Sequence, residues 1–139
     1  MSKVKVFVTM RILIIVAVCV GLLIFVTRGQ YKGVLVPAFD TNTLKWGYAD
    51  TTGKVVIPLK YEWVEHFSED LAGVKSDGKF GFVNRKGKVV IPLKYESIER
   101  FSEGLAMVKS DGKYGFVDKD GNEVIPLKYT SATLFVEGL

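Results

Sequence analysis

The chain has 139 residues and a formal net charge of +4, which allows one modest domain and invites comparison with nucleic-acid-binding proteins. Four of the 19 basic residues and none of the 15 acidic ones lie within residues 1–28, so residues 29–139 carry 15 of each and are formally neutral. A neutral domain has no net field that attracts phosphate backbones, and we therefore predict no nucleic-acid partner. The single cysteine, Cys19, excludes an intramolecular disulfide.

An uninterrupted apolar run extends from Ile12 to Val26 behind a basic N-terminus. Counted from Val6, with Arg11 reaching towards the lipid headgroups, the stretch is long enough to cross a bilayer. We therefore predict one N-terminal transmembrane helix within residues 1–28, which anchors the chain in a membrane. The basic residues before the run slightly outnumber those after it, and this bias places the rest of the chain outside the cytoplasm.

The same run also matches two kinds of cleaved targeting signal. As a signal peptide it lacks a good cleavage site, because Thr27-Arg28-Gly29 fits poorly; cleavage would make the protein secreted. A lipoprotein signal ending at Cys19 is disfavoured, because the bulky Val18 precedes the cysteine where a small residue is usual and the apolar run continues after it. The anchor is the favoured interpretation, with secretion as the alternative.

A period of 34 residues runs through the remainder of the chain. Gly47, Gly81 and Gly115 are separated by it, and prolines, tyrosines and leucines recur at the same spacing. A fixed period of this length is the signature of a repeat architecture. The predicted division is the N-terminal segment 1–28, a short linker 29–37, and a repeat domain 38–139 with units 38–71, 72–105 and 106–139.

The composition of the units favours strands over helices. Every unit contains glycines and a proline, and its apolar runs are short and rich in Val, Ile and Phe. In the second unit, Asp77-Gly78 predicts a type I′ turn between two strands, and Gly87 suits the turn before a third strand. Pro92 should either end that third strand or lie at the edge of the sheet.

The predicted fold class is an all-β repeat domain, preceded by one N-terminal transmembrane helix. We expect an open stack of three 34-residue units, each a three-stranded β-meander that buries its apolar face on the next unit. The spacing of Tyr95, Ile98 and Phe101 predicts one helical turn between the second and third units. A closed propeller is excluded, because its blades need four strands and its ring needs at least about four blades.

Positions that keep their residue type in all units are expected to hold the repeats together. Val56, Val90 and Val124 are assigned to the core face. An aromatic residue recurs at Trp46, Phe80 and Tyr114, and a glycine follows each of them. These glycines are expected to let a ring of the neighbouring unit pack on their backbone. The predicted structural positions are Trp46, Gly47, Pro58, Tyr61, Phe67, Phe80, Gly81, Pro92, Tyr95, Phe101, Tyr114, Gly115, Pro126, Tyr129 and Phe135.

Two sets of motifs carry a resemblance to a known family. The first unit contains Trp46-Gly47-Tyr48-Ala49-Asp50 followed by Val56-Ile57-Pro58, and the second contains Asp77-Gly78-Lys79-Phe80-Gly81-Phe82-Val83 followed by Val90-Ile91-Pro92. Over residues 36–139 the chain resembles the bacterial WG-repeat family, with Phe or Tyr in place of Trp in the second and third units. The resemblance implies a β-repeat interaction module of the cell envelope or a secreted protein, and it brings no catalytic residues with it.

No convincing catalytic or metal-binding set emerges from the sequence. His66 is the only histidine, and its counterparts in the other units are Arg100 and Leu134. Glu69 and Glu103 recur in register and could in principle serve glycoside hydrolysis, but their recurrence with the repeat indicates a role in the fold. We predict a protein that is not an enzyme and has no cofactor or metal; the alternative is a cell-envelope hydrolase that uses the repeated glutamates.

The predicted function is a membrane-anchored, extracytoplasmic module that binds a protein, a peptide or cell-wall polymer. Its predicted location is the bacterial cell membrane, which the chain crosses once, with the repeats outside. The last residues of the third unit include the apolar Phe135 and Leu139. We expect these to mediate self-association through an unpaired strand edge or an apolar face.

Overall fold

The computed structural model describes residues 33–130 and the backbone of residues 4–6. In these two ranges the chain contains strands and no helix, and the strands form three four-stranded antiparallel sheets. The first sheet comprises β1 (Val4–Val6), β2 (Leu35–Asp40), β3 (Lys45–Asp50) and β4 (Val55–Tyr61); the second comprises β5 (Trp63–Val64), β6 (Leu71–Ser76), β7 (Lys79–Asn84) and β8 (Val89–Tyr95); the third comprises β9 (Ser97–Ile98), β10 (Leu105–Ser110), β11 (Lys113–Asp118) and β12 (Glu123–Tyr129).

The all-β prediction is confirmed for the described residues, with the correction that each sheet has four strands instead of three. The chain divides into two compact units, residues 1–61 with the first sheet and residues 62–139 with the second and third. The apolar run of the predicted membrane helix lies outside the described residues. Within the part of the chain that the structure describes, no helix has the length and apolar character needed to cross a membrane.

The first sheet begins earlier than the 34-residue period predicts. Leu35 pairs with Asp50, so β2 starts inside the stretch predicted as a linker. The equivalent pair in the second sheet is Leu71 and Asn84. The first sheet has two more residues than the second between these paired positions. The extra residues lie in its hairpin turn, which comprises the four residues Thr41–Leu44, whereas the turn of the second sheet has two. The longer turn breaks the sequence period while the pairing of the strands is kept.

The hairpins of the second and third sheets have the predicted two-residue turns. Asp77 and Gly78 have φ angles of 50° and 73°, and Asp111 and Gly112 have φ angles of 49° and 70°. Positive φ at both central residues is the requirement of a type I′ turn, whose twist matches that of the flanking strands. The type I′ prediction is therefore confirmed.

The predicted helical turn between the second and third units, over Tyr95–Phe101, is wrong. Ser97–Ile98 forms β9 and pairs with β10. The backbone N–H of Glu99 also donates to the carbonyl of Met107 at 2.9 Å. These bonds satisfy the polar backbone groups along the edge of β10, which a helical turn would leave without partners.

The last strand of each sheet continues through its proline. In the second sheet, Pro92 lies within β8 at the sheet's edge, where its missing N–H interrupts no pairing; the alternative that it ends the strand is wrong. The strand bulges at this point. Phe80 pairs with Tyr95, whereas Phe82, two residues further along β7, pairs with Ile91, four residues back along β8.

The glycines that follow the recurrent aromatic residues face this bulged backbone, not a ring. A Cβ atom on Gly81 would lie 2.5 Å from the carbonyl oxygen of Ile91 and 2.8 Å from the nitrogen of Leu93. A Cβ on Gly115 would lie 2.6 Å from the carbonyl oxygen of Ile125. The prediction that an aromatic ring of the neighbouring unit packs here is therefore wrong. Only glycine lets the middle strand come so close to the bulge.

The isoleucine of the edge strand lies deeper than the valine before it. Ile57 and Ile91 are fully buried, whereas Val56 and Val124 are 43% and 54% exposed. The assignment of Val56 and Val124 to the core face is therefore wrong, whereas Val90 is half-buried and packs against the core cluster of the second and third sheets. The register explains the two exposed valines: the isoleucine lies opposite the large aromatic residue of the middle strand, so alternation turns the preceding valine to the other side.

Replacing the glycine at the bulge should be costly. We expect Gly81→Val to lower the free energy of unfolding by about 1–3 kcal/mol or more, because the new side chain meets backbone atoms that cannot rotate away. Lys86→Glu, in an exposed turn of the same sheet, should change it by no more than about 0.5 kcal/mol. Urea unfolding of the two variants measures the difference, and equal midpoints would show that the bulge relaxes freely.

Candidate functional site

The second and third sheets each have two chemically different faces. Residues directly opposite each other on neighbouring antiparallel strands project to the same side of a sheet. In the second sheet, the large side chains share one side, which we call the aromatic face: Leu71, Phe80, Phe82, Ile91 and Tyr95. The small side chains share the other side, which we call the aliphatic face: Ala72, Val74 and Val83.

The aromatic face of the second sheet is covered by the aliphatic face of the third. The covering residues, Ala106, Val108 and Val117, belong to one buried cluster with most of the aromatic face. Phe101, from the connection between the two sheets, completes this layer, with its ring centroid 4.8 Å from that of Phe82 in an edge-to-face arrangement. Large side chains of one sheet thus fill the space above small side chains of the next.

A group of polar contacts borders this interface. The Ser68 hydroxyl donates to the carbonyl oxygen of Phe101 at 2.8 Å. The Glu69 carboxylate accepts the backbone N–H of Gly104 at 3.0 Å and forms an ion pair with the Lys119 ammonium at 3.0 Å. We call these five residues the clasp. The bond from Lys119, supported by the Gly104 N–H, favours the charged form of Glu69 and lowers its pKa.

Tight two-residue turns position the clasp. Ser68–Leu71 and Ser102–Leu105 each close with two backbone hydrogen bonds of 2.8 to 3.1 Å. The four central residues all have positive φ, between 50° and 81°. The first turn thereby holds the carboxylate of Glu69 against the second turn, whose Gly104 N–H it accepts. The sequence Phe-Ser-Glu occurs at the start of both turns, at residues 67–69 and 101–103, but it does not identify Lys119 as a partner.

The third sheet presents the same aromatic face with much less cover. Among residues 33–130, its members are only half-buried or exposed: Leu105, Met107, Tyr114, Phe116, Ile125 and Tyr129. Tyr129 is 47% exposed, whereas its counterpart Tyr95 is 1% exposed. Ser102 and Glu103, the equivalents of Ser68 and Glu69, are also exposed. This surface, an apolar face bordered by a hydroxyl and a carboxylate, is the candidate functional site.

The recurrent aromatic residues at the start of each middle strand are half-buried and pack within their own sheet. The Trp46 ring lies 4.7 Å from that of Phe39, and the Phe80 ring lies 5.6 Å from that of Trp63. Tyr114, the third member, belongs to the aromatic face of the third sheet. These side chains therefore shape the sheets, and only Tyr114 contributes to the candidate site.

The remaining predicted positions have structural roles or lie outside the described residues. The glycines lie on the middle strands and face the bulges, and the prolines lie in the bulged edge strands. Tyr61 is 3% exposed, and Phe67 lies under the Arg85 guanidinium, whose carbon is 5.0 Å from the ring centroid. The two residues predicted to mediate self-association, Phe135 and Leu139, lie outside the described residues.

Two glutamates, Glu69 and Glu65, lie in different environments. Glu69 is bound in the clasp, and its lowered pKa is the opposite of what a general acid requires. The pKa of Glu65 is raised, first by partial burial and then by the negative charge of Glu99. His66, the next residue, is exposed. Within the described ranges, no group of three or more His, Cys, Asp or Glu side chains could hold a metal ion.

The family of the chain follows from the same repeated unit. The model of the WG containing repeat family matches residues 46–80, 80–114 and 114–139, which together make up more than half of the chain. The chain belongs to this family. Each matched stretch starts at the recurrent aromatic residue of a middle strand, so the WG resemblance inferred from the motifs is confirmed. Comparison with curated proteins and with solved structures gave no match.

The clasp predicts a pH dependence of stability. The pKa of Glu69 is lower in the folded protein than in the unfolded chain. Its contribution is therefore complete above the ordinary range of glutamate, about pH 4.3, and is lost as the pH falls through the lower folded pKa. We expect Glu69→Gln to lower the melting temperature at neutral pH. In this variant the melting temperature should also fall less steeply as the pH is lowered below about 4.3. Melting curves followed by circular dichroism across this range measure both effects.

Glu103→Gln is the matched control for this experiment. Glu103 occupies the equivalent turn, but its side chain is exposed. The change should leave both the melting temperature and its acid dependence close to those of the unmodified chain. If the Glu69→Gln profile superimposes on that of the unmodified chain, the clasp makes no contribution to stability.

Proposed function

We propose that this WG-repeat protein is a non-catalytic interaction module of the bacterial cell envelope, anchored by its N-terminal segment with the repeats outside the cytoplasm. The observation that carries the binding function is the aromatic face of the third sheet. It is partly exposed, while the equivalent face of the second sheet is buried beneath another sheet. The partner class is a protein or peptide, or a cell-wall polymer.

The chemistry of this face supports a binding role. Phe, Tyr and Met side chains dominate it, and these residue types are enriched in the buried parts of protein interfaces. Exposed apolar patches with a polar border are typical of interaction sites. Each Å² of apolar surface removed from water contributes roughly 25 cal/mol, so covering several half-buried side chains offers a real driving force. Ser102 and Glu103 at the border supply a donor and an acceptor that give direction to the contact.

The location rests on the sequence. The apolar run of residues 12–26, its basic N-terminal flank and the neutral repeat region together support a single membrane crossing with the repeats outside. Secretion after cleavage of this segment is the alternative, and it would place the aromatic face in the same compartment.

Binding through the aromatic face can be tested with two neighbouring substitutions. Ile125 lies on the aromatic face of the third sheet, whereas Val124 projects to the other side and is 54% exposed. We expect Ile125→Thr to weaken the capture of peptidoglycan or envelope proteins by the full chain by about tenfold, which corresponds to about 1.4 kcal/mol. Val124→Thr is the matched control and should leave capture unchanged. Equal capture by two folded variants would remove the aromatic face from the function.

The orientation can be tested with a reporter enzyme that is active only outside the cytoplasm. Fused to Leu139 of the full chain, it should be active, because the predicted topology places the repeats outside. The same fusion without residues 12–26 should lose this activity. An inactive reporter on a fully expressed, membrane-bound fusion would reverse the proposed orientation.

A further inference from the structure

We infer that the aromatic face of the third sheet binds one further sheet of the same repeat type. This inference rests on the proposed binding function and specifies the partner. The structure contains one example of how such a face is covered, the contact between the second and third sheets. That contact defines the partner's apolar surface and its polar groups.

The apolar requirement is a surface of small side chains. In the second sheet, Phe82 and Tyr95 are covered by Ala106, Val108 and Val117, which leave room for the larger rings. The third sheet presents similar residue types at the same register positions, including a phenylalanine opposite an isoleucine. The exception is Met107, which takes the position of Gly73, where a Cβ atom would lie 2.7 Å from Ile98. An aliphatic face of the repeat type therefore fits it, whereas a second layer of large side chains would collide with it.

The polar requirement follows from the clasp. Ser68 needs a carbonyl oxygen, and Glu69 needs a turn N–H and an ammonium group at the edge of the covering sheet. Ser102 and Glu103 occupy the equivalent positions beside the third sheet. A partner sheet that begins with a tight Gly-containing turn and carries a lysine at the position of Lys119 satisfies both.

A second copy of this chain is a poor partner for this face. Among the described residues, most aliphatic positions of its sheets are already buried. Those at most 1% exposed are Ala72, Val74 and Val83 in the second sheet, Ala106, Val108 and Val117 in the third, and Ala38 and Ala49 in the first, where Val36 is half-buried. A copy could offer a free aliphatic face only by uncovering these residues. The partner is therefore a repeat sheet whose aliphatic face is uncovered.

The test extends the full chain by one repeat. A copy of residues 106–130 is added directly after Leu139, which continues the 34-residue register, and a specific protease site is placed between Thr130 and Ser131. The probe is thus a sheet of known sequence with a free aliphatic face. Met107, on the aromatic face, is replaced by cysteine in a chain that also carries Cys19→Ser, so that thiol labelling reports on the covering of this face.

We expect the added repeat to raise the melting temperature and to slow labelling of Met107→Cys by about tenfold or more, since labelling then requires the sheet to open. Glu103→Gln in the extended chain should reverse a large part of this protection. Glu123→Gln, the same chemical change at an exposed position away from the face, should not. After cleavage of the protease site, the released segment should still co-elute with the rest of the protein.

Several results would overturn the inference. Unprotected labelling in the extended chain, or loss of the cleaved segment at concentrations of tens of micromolar, would show that the face does not accept a repeat sheet. Protection that appears in the unextended chain with rising concentration would assign the face to a second copy. Protection in the unextended monomer that disappears when residues 131–139 are deleted would assign it to the chain's own C-terminal residues. In each case the Ile125→Thr capture experiment still decides the proposed binding function separately.

Discussion

The close approach of a glycine to a bulged edge strand is the constraint on which each sheet depends. At Gly81 the bulge lies so near that any side chain would collide with the backbone around Pro92. The bulge adds two residues to β8 between its pairs with Phe80 and Phe82, and it thereby turns both Ile91 and Tyr95 to the aromatic face. Without this arrangement the sheet would not present a continuous layer of large side chains for the next sheet to cover.

The contact between the second and third sheets converts this local geometry into a repeat. An aromatic face needs an aliphatic face above it, and every sheet of this pattern has one of each, so the same contact can in principle continue from sheet to sheet. The clasp aligns the two sheets through charged and neutral hydrogen bonds at their border. The half-exposed aromatic face of the third sheet is the part of this pattern on which the proposed binding function rests.

Only part of the candidate site could be predicted from the sequence. The recurrence of Glu69 with Glu103 indicated a link with the fold, and the clasp shows such a link for Glu69. Their environments could not be predicted, since the Lys119 ammonium that binds Glu69 comes from a turn 50 positions further along the chain. Nor does the sequence distinguish a covered aromatic face from a half-exposed one, because the second and third units carry almost the same residues at these positions.

The sequence by itself determined the features that arise within a few residues of one another. The 34-residue period, the Asp-Gly type I′ turns, the β-rich character and the family follow from local turn chemistry and composition. The tertiary structure alone decided that Ile98 joins a strand, that Val56 and Val124 point outwards, and that Gly81 faces backbone. These outcomes depend on which backbone groups a neighbouring strand must satisfy and where its bulge falls, and that information arises only when strands distant in sequence pair.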